Sequence, residues 1–439
     1  MSELRRYTDY KDSGVPWLGE IPSHWEAKRI KFVVNNINKK VEASETELRY
    51  FGLENIESFT GKLKNHIELI SEGVGNEFGS GDVLFGKLRP YLSKVYLTNQ
   101  AGLASTEALI LRSTESIEPK FLKYYCLSPD FIDQVNGTTF GSKMPRASWD
   151  GISSFKITYP NLDEQQAIVN FLDSELEHID MLISKQQQLI EKLAEQCSAV
   201  ITHAVTKGLD PNVPMKKSGI EWIGDIPEHW EGFKITHLIE TIGSGTTPKS
   251  SNYDYYGDEG VLWVTTSELR ESVITDTKKK LTEAALEDYS TLKVFPKNSV
   301  AIAMYGATIG RLGILGEEAT FNQACCVYSE SEMIHYKFLY YWLWYRRPIL
   351  ISLSNGGGQP NLNQDDLRKL KIPIPSMIEQ KEIVDYLDKE TQKIDQMSES
   401  NKSIVAKLQE YRAALITQAV TGKIDVRDIA TGNRIEEMA

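Results

Sequence analysis

The chain has 439 residues, enough for two to four domains with buried cores, and its 41% hydrophobic and 25% charged content is typical of globular proteins. The polar residues 1–12 argue against a secretory signal, and no apolar stretch approaches the roughly 20 residues that a membrane span needs. The four cysteines show neither metal-ligand spacing nor a disulfide framework, which favours a reduced, cytoplasmic protein. Cys325 and Cys326 are neighbours in an apolar run, so we expect both to be buried thiols.

The net charge of −12 argues against tight binding of nucleic acid by this chain alone. Residues 159–210 carry 9 acidic and 3 basic side chains, and residues 375–425 carry 9 and 7, so most of the acidic excess lies in two segments that need not touch DNA. Any affinity for DNA must therefore come from local patches or from the basic surface of a partner.

The first segment, residues 1–158, predicts a globular unit of mixed α/β structure. It opens with the motif Gly14-Val-Pro-Trp-Leu-Gly-Glu-Ile-Pro-Ser-His-Trp-Glu26. A β-type run follows at 82–85, and an aromatic helix at 121–127. Aromatic side chains at helical spacing favour a packed core over a ligand site.

Residues 159–210 predict one long helix. Leu172, Leu176 and Ile179 begin a series, continuing to Ala204, in which seam residues are separated by alternating steps of four and three. This heptad pattern over more than four repeats is typical of a coiled coil. A helix of roughly 40 residues would be about 60 Å long.

Residues 211–374 repeat the organisation of the first unit. The opening motif Gly219-Ile-Glu-Trp-Ile-Gly-Asp-Ile-Pro-Glu-His-Trp-Glu231 matches 8 of the 13 positions of the earlier motif at an offset of 205. The β-type runs at 261–264 and 299–302 and the aromatic helix at 338–345 predict a second mixed α/β unit.

Residues 375–425 predict a second long helix, followed by a tail at 426–439. At an offset of 215, several pairs of the first helix return, among them Glu164-Gln165 as Glu379-Gln380. The second seam is poorer, with polar residues in mid-helix. Gln186 and Asn401 occupy equivalent seam positions and either form a buried polar pair that fixes the register or are exposed where the seam loosens.

These patterns predict an α/β (α+β) tandem repeat in the order globular unit, helix, globular unit, helix. Two equivalent long helices in one chain can pair as an antiparallel coiled coil about a pseudo-twofold axis. Such a pair would hold the two globular units well apart.

The sequence lacks the motifs of common catalytic and cofactor sites. Residues 243–249 contain glycines and a lysine, but not at the spacing of a phosphate-binding loop, and no dinucleotide-binding glycine motif follows a strand. The tetrapeptide that marks amino-methyltransferase catalytic loops is also missing. His24 and His229 have no partner histidine at metal-ligand spacing, so we expect them to pack against the neighbouring tryptophans. We therefore predict a protein that is not an enzyme and has no metal or cofactor site.

The motifs resemble the specificity subunit of type I restriction–modification systems, and the resemblance covers essentially the whole chain. It rests on Trp-x-Gly-x-Ile-Pro-x-His-Trp at the head of each half and on Ile372-Pro-Ile-Pro-Ser-Met-Ile-Glu-Gln-Lys381. The second unit adds further motifs: Gly245-Thr-Thr-Pro248, Ala303-Met-Tyr-Gly-Ala-Thr-Ile-Gly310, Phe321-Asn-Gln-Ala324 and Gln359-Pro-Asn-Leu-Asn363. In the first unit Phe85-Gly-Lys-Leu-Arg-Pro90, Ser105-Thr-Glu-Ala108 and Met144-Pro-Arg-Ala147 stand in corresponding places.

The resemblance implies two target-recognition domains, each reading one half of a bipartite DNA site, with the paired helices setting the spacing. It also implies two modification subunits that methylate adenine with S-adenosylmethionine, docked on the helices. Restriction subunits, which translocate DNA with ATP and Mg, join the same assembly. The readers must lie about one helical turn of DNA apart, roughly 34 Å, to address one DNA face.

Candidate DNA contacts are side chains with paired donors and acceptors, cations and small polar loop residues. In the first unit they are Lys87, Arg89, Tyr91, Lys143 and Arg146. In the second unit they are Ser244, Thr246, Thr247, Lys249, Tyr305, Thr308, Arg311, Gln359, Asn361 and Asn363. The asparagines can equally serve only to form turns, and Lys249 can be merely solvated.

Two other classes of function compete with this hypothesis. A stand-alone, two-headed DNA-binding regulator would bind a specific duplex tightly without a partner, which the acidic balance disfavours. An adaptor whose duplicated units bind protein would suit the many Trp and Tyr residues, but rigid polar loops make poor hydrophobic anchors.

Overall fold

The computed structural model describes residues 5–15, 17–64, 73–220, 222–352 and 361–428. The chain divides into two compact units, the first formed by residues 1–188 and 401–439 and the second by residues 189–400. Within the described residues, no helix combines the length and the apolar character needed to cross a membrane.

The first unit contains short strands, short helices and the beginning of a long helix. Its strands are β1 (Tyr10–Asp12), β2 (Glu20–Pro22), β3 (Glu26–Arg29), β4 (Val34–Ile37), β5 (Lys40–Glu42), β6 (Tyr50–Phe51), β7 (Val74–Phe78), β8 (Val83–Gly86), β9 (Val95–Leu97), β10 (Gly102–Ser105), β11 (Ala108–Ser113) and β12 (Lys156–Tyr159). Its helices are α1 (Pro119–Leu127), α2 (Pro129–Gly137), α3 (Trp149–Ser154) and the first part of α4 (Leu162–Lys207).

Two four-stranded sheets are the largest sheets of the first unit. Their strand orders are β4-β11-β8-β9 and β5-β7-β10-β6, with β10 and β6 parallel. The predicted strand at 82–85 is confirmed as β8, which is buried along its whole length. The predicted aromatic helix is confirmed as α1, whose Phe121 and Tyr125 lie in the main core with Phe85 and Phe131.

The second unit repeats this composition. Its strands are β13 (Met215–Lys217), β14 (Asp225–Pro227), β15 (Glu231–Lys234), β16 (Ile242–Gly243), β17 (Tyr256–Gly257), β18 (Val261–Val264), β19 (Ser272–Ile274), β20 (Lys280–Leu281), β21 (Val300–Ala303), β22 (Leu312–Leu315), β23 (Ala319–Phe321), β24 (Cys325–Tyr328) and β25 (Lys371–Ile374). Its helices are α5 (Ile235–Leu238), α6 (Glu283–Asp288), α7 (Tyr336–Ser352), α8 (Gln364–Arg368) and the first part of α9 (Met377–Val420), together with the end of α4.

A five-stranded and a four-stranded sheet form the β part of the second unit. Their orders are β16-β24-β21-β22-β19 and β17-β20-β18-β23. The predicted strands at 261–264 and 299–302 are confirmed as β18 and β21. The aromatic helix is confirmed as α7, and Phe338 and Trp342 are fully buried in its core.

The duplicated motifs form the same strand pairs in both units, and we call these pairs, with the start of the long helix that follows them, the frame. The β1–β2 pair and the β13–β14 pair have the same register, with Tyr10 opposite Pro22 and Met215 opposite Pro227. Next, β3 pairs with β12 just before α4, and β15 pairs with β25 just before α9. The repeated residues therefore define how the chain enters each long helix.

The two long helices pair antiparallel. In the first unit Leu172 and Ile179 of α4 share a core with Leu415 of α9, so the start of α4 packs on the end of α9. In the second unit Ile201 near the end of α4 shares a core with Ile383 near the start of α9. Both pairings confirm the predicted antiparallel coiled coil.

Every predicted seam position is buried or half-buried, including the polar ones of the second helix. Arg412 is 8% exposed and donates hydrogen bonds to Asp180 of α4 and to the carbonyls of Phe59 and Thr60. Asn401 is 9% exposed and Gln186 is half-buried, so the interpretation that both are simply exposed is wrong. The role of this pair in fixing the register stays a prediction.

The thiols are free, and burial keeps three of them protonated. Cys325 and Cys326 are buried, as expected; Cys126 is buried too, and Cys197 is half-buried in the helix seam. Burial raises the pKa of all four thiols, to about 12 for Cys326. These cysteines are therefore poor nucleophiles.

Candidate nucleic-acid interface

A glutamate at the start of each long helix ties the head motif of its unit to that helix. Glu164 accepts hydrogen bonds from Tyr7 Oη at 2.7 Å and Trp25 Nε1 at 2.9 Å, and its Oε2 lies 2.8 Å from His24 Nε2. Burial, and then the bond to Glu164, raise the pKa of Tyr7 well above its usual range. The head-motif histidine thus does more than pack against aromatic rings: it pairs with a carboxylate.

The second unit builds the same arrangement around Glu379. Its carboxylate accepts from Trp230 Nε1 at 3.0 Å and lies 2.8 Å from His229 Nε2. Within the described residues, no cluster of His, Cys, Asp or Glu side chains could hold a metal ion. Each histidine belongs to a hydrogen-bonded cluster that joins the head motif to the start of a long helix.

In the first unit, the three motif segments identified from the sequence come together. The 87–89 loop and the 145–147 segment are joined by hydrogen bonds from Arg89 N to Pro145 O, 2.8 Å, and from Ala147 N to Lys87 O, 2.9 Å. Lys87 N donates to the carbonyl of Glu107, which belongs to the Ser-Thr-Glu-Ala segment. Hydrogen bonding between loops thus presents them as one rigid surface.

Charge on this surface is positive. Segments 85–95, 105–108 and 136–149 together contain five lysines and arginines and a single acid, Glu107. Arg89, Tyr91 and Lys143 are exposed, and Lys87 is half-buried. Arg89 has a φ of 50°, a left-handed conformation uncommon for a residue other than glycine and found where a loop holds a side chain in a set position.

Arg146 differs from the other predicted contacts because its guanidinium is already engaged. It donates from Nε and Nη2 to the two carboxylate oxygens of Glu107, at 3.0 and 3.2 Å. This forked pair fixes the orientation of Arg146 and offsets its charge. Glu107 was not among the predicted site residues, although it lies inside a motif that marks the site.

In the second unit, the Gly-Thr-Thr-Pro loop lies against the Phe-Asn-Gln-Ala segment. A Cβ on Gly245 would meet the carbonyl oxygen of Phe321 at 1.7 Å, so only glycine allows this approach. Thr247 Oγ1 donates to Gln323 Oε1 at 2.8 Å, and Trp263 Nε1 donates to the carbonyl of Thr246 at 3.2 Å. Gln323 is exposed and was missed, although it too lies inside a quoted motif.

The Met-Tyr-Gly segment and the Asn-Leu-Asn segment adjoin this loop. Met304 N donates to Ala324 O and Leu362 N donates to Met304 O, while Tyr305 and Asn361 form a β-bridge. Four separate motifs of the second unit therefore converge, as three do in the first unit. Gln359, also predicted as a contact, lies outside the described residues.

The other predicted contacts of the second unit surround these segments. Asn363 caps α8, since its Oδ1 accepts from Asp365 N at 2.9 Å, which is the turn-forming role weighed against DNA contact. Thr308 Oγ1 bonds back to Tyr305 O at 3.3 Å. Lys249 and Arg311 are exposed and Ser244 is half-buried. No bound DNA tests these assignments, and each remains a prediction.

Comparison with known proteins places the chain in a family. The model of the type I restriction modification DNA specificity domain matches residues 22–192 and again residues 227–406. The chain belongs to this family and contains its domain twice, and its function is that of a DNA-specificity subunit of a type I restriction–modification system.

Relatives match over most of their length. The type I restriction enzyme MjaVIII specificity subunit of Methanocaldococcus jannaschii is 24% identical over 433 residues, covering 93% of this chain and 95% of the relative. The type I restriction enzyme EcoBI specificity subunit of Escherichia coli is 25% identical over 324 residues, covering 70% and 67%.

Solved structures share the fold. One is a chain in a structure that describes complex assembly and conformational transition of the type I R-M system. It has a TM-score of 0.74 at 20% identity, and the match covers 91% of this chain and 98% of that one. The HsdS subunit from Thermoanaerobacter tengcongensis has a TM-score of 0.52 at 20% identity, covering 92% and 98%.

Proposed function

We propose that each unit reads one half of a bipartite DNA site through its converging loops. The observation that carries the proposal is the contrast between frame and loops. The contacts of histidine and tryptophan with Glu164 and Glu379 recur in both units, whereas the loops differ in sequence: Met-Pro-Arg-Ala in one unit corresponds to Gln-Pro-Asn-Leu in the other. A shared frame with different loops suits two readers of different sequences.

The paired helices serve as the ruler between the half-sites and as the dock for two modification subunits. Equivalent positions of the two helices are exposed and apolar, Leu182 with Met397 and Leu189 with Ile404, each pair 215 residues apart. Exposed apolar side chains on a charged helix favour burial against protein. A pair of equivalent patches suits two copies of one partner.

The chain itself performs no chemistry in this proposal. The modification subunits supply S-adenosylmethionine-dependent methylation of adenine, and restriction subunits supply ATP- and Mg-dependent translocation and cleavage. The acidic balance of the chain supports dependence on these partners for tight DNA binding. Because its DNA partner lies in the cytoplasm, we place the protein there too.

The experiment is purification of the chain alone and co-expressed with a candidate modification subunit, followed by sequencing of methyladenine positions in host DNA. We expect a complex of two modification subunits to one chain, with methylation at a two-part site. A chain that stays alone yet binds a specific duplex tightly would be a regulator. A chain that neither recruits a methyltransferase nor binds DNA would be a protein adaptor.

A further inference from the structure

Arg346 is a buried cation that forms no ion pair with any of the described residues. It lies on α7 and is 2% exposed. Its Nε and Nη1 atoms are shut off from solvent, and neither has a hydrogen-bond partner in the described part of the chain. Burial lowers the pKa of Arg346 to about 10. An unpaired buried charge destabilises a fold, so its presence calls for a compensating partner.

Two tryptophans complete the surroundings of this guanidinium. Arg346 Cζ lies 3.1 Å from the ring centroid of Trp222, a stacked arrangement. Trp342, one turn earlier on α7, packs on the same Trp222 ring with centroids 6.1 Å apart. The Nε1 atom of Trp342 is also buried and lacks a hydrogen-bond partner within the described residues. Three nitrogen atoms in this cluster, two of Arg346 and one of Trp342, therefore lack an acceptor within the described residues, and an anion can accept from guanidinium N–H groups.

Arg346 is one of the residues that line a cleft of about 960 Å³ in the second unit. Ser244, Tyr305, Asn361 and Asn363, all predicted DNA contacts, line the same cleft. Two acids and two other bases also line it, so Arg346 supplies its excess positive charge. An acceptor in this cleft would lie directly beside the loops that we assign to base reading.

We propose that Arg346 binds one backbone phosphate of DNA in this cleft when the second unit engages its half-site. Phosphate offers several acceptor oxygens and a negative charge, which matches a guanidinium whose Nε and Nη1 atoms lack acceptors among the described residues. The proposal rests on the proposed function, since it assumes that the second unit meets DNA at this surface.

The first unit does not share this site. Tyr124 and Tyr341 make equivalent hydrogen bonds to aspartates of α4 and α9, and aligning them places Pro129 at the position of Arg346. The phosphate contact therefore belongs to the second half-site alone, and its loss would affect the two halves unequally.

The test compares the complex with modification subunits in its wild-type form and with Arg346→Met, on a duplex carrying the mapped site. In the variant, the slope of log affinity against log salt concentration should become shallower by about 0.9, which is the contribution of one phosphate. The variant's loss of affinity at 0.1 M salt is then roughly ten times its loss at 1 M salt. The control is Arg347→Met, whose guanidinium already donates to Glu271 at 2.7 Å and whose loss should leave the slope unchanged.

Stability separates this role from a structural one. Replacing an unpaired buried cation with methionine should leave the unfolding temperature unchanged or raise it. A lowered unfolding temperature with an unchanged salt slope would overturn the proposal.

A second measurement changes the DNA as well as the protein. Duplexes with one neutral methylphosphonate at a time should include one position, beside the second half-site, that weakens binding of the wild-type complex but not of Arg346→Met. If the wild-type complex discriminates its site and no such position exists, the phosphate contact is wrong and the proposed function stands. If the wild-type complex shows no site preference, the proposed function itself has failed.

Discussion

Glu164 illustrates how one residue links sequence motif, fold and function. Its carboxylate is nearly shielded from solvent and is satisfied by three partners, Tyr7, His24 and Trp25, from the amino-terminal part of the chain. Glu379 makes two of these contacts and is 24% exposed. The repeated His-Trp and Glu-Gln motifs are therefore two halves of one contact in each unit.

Replacing Glu164 with Gln should destabilise the first unit by about 2–3 kcal/mol, since a buried charge-assisted network loses its charge and one acceptor. The matched variant Glu379→Gln should cost only about 1 kcal/mol, because its partners are fewer and more exposed. Denaturant unfolding of both variants checks this difference. Equal losses would show that the network around Glu164 contributes no more than its exposed counterpart.

At the scale of residues, the sequence predicted which segments lie together better than it predicted the contacts of each side chain. The motif segments containing Lys87, Tyr305 and Asn361 do come together, because repeated motifs mark the loops that a shared frame supports. The pairing of Arg146 with Glu107 and the unpaired burial of Arg346 could not be predicted, since they depend on the tertiary approach of residues distant along the chain. The exposure of Phe140 and Met144, which are near Lys143 in the sequence, was not predicted either, because the sequence alone does not show which apolar residues are exposed.

Among the elements, the heptad pattern is weakest in α9, and Arg412 explains one of its polar positions. Arg412 stands where a coiled coil would place an apolar side chain, and it holds the carbonyls of Phe59 and Thr60 as well as the carboxylate of Asp180. Phe59 has a φ of 66°, a conformation that this anchor helps to maintain. The polar seam residue fastens a loop of the first unit to the helix.

Arg412→Met should therefore destabilise the first unit by about 2–4 kcal/mol, because the aspartate and two carbonyls lose their shared donor. Amide hydrogen exchange should quicken in residues 57–63 more than in the helices. Lys62→Met is the control: Lys62 also pairs with Asp180, at 2.6 Å, but is largely exposed, and its loss should cost under about 1 kcal/mol. An Arg412→Met variant with unchanged exchange in this loop would contradict the anchoring role.

The long helices and the buried strands could otherwise be predicted from the sequence, for physical reasons. Heptad spacing from Leu172 to Ala204 can be satisfied only by a long helix with one buried stripe. The buried strands β8, β18 and β21 appear as short apolar runs bounded by turn residues. Strand order within the sheets could not be predicted, because β10 with β6 and β18 with β23 pair in parallel across long stretches of chain.

At the scale of the whole molecule, the ruler hypothesis makes a prediction in base pairs. Duplicating residues 182–188 in α4 and 394–400 in α9 adds one heptad to each helix and keeps both seams in phase. Seven residues add about 10.5 Å of helix, which is about 3 base pairs of DNA. Methyladenine mapping should show the same half-sites with a spacer longer by about that amount.

Lengthening α4 alone is the control for the ruler, because the two seams then fall out of step and the pairing should weaken. Methylation is expected to be lost in that variant and kept in the doubly extended one. An unchanged spacer in the doubly extended variant would show that the helices do not set the distance.

The central claim is that each unit reads its own half-site, and methyladenine sequencing of variants changed in one unit tests it most directly. Arg89→Ala with Lys143→Ala alters only the first unit, and Thr247→Ala with Arg311→Ala only the second. We expect each pair to weaken or relax one half of the mapped site and to leave the other half unchanged. If both halves change together in either variant, or if the methylated site has a single continuous part, the two units do not read independently and the account is wrong.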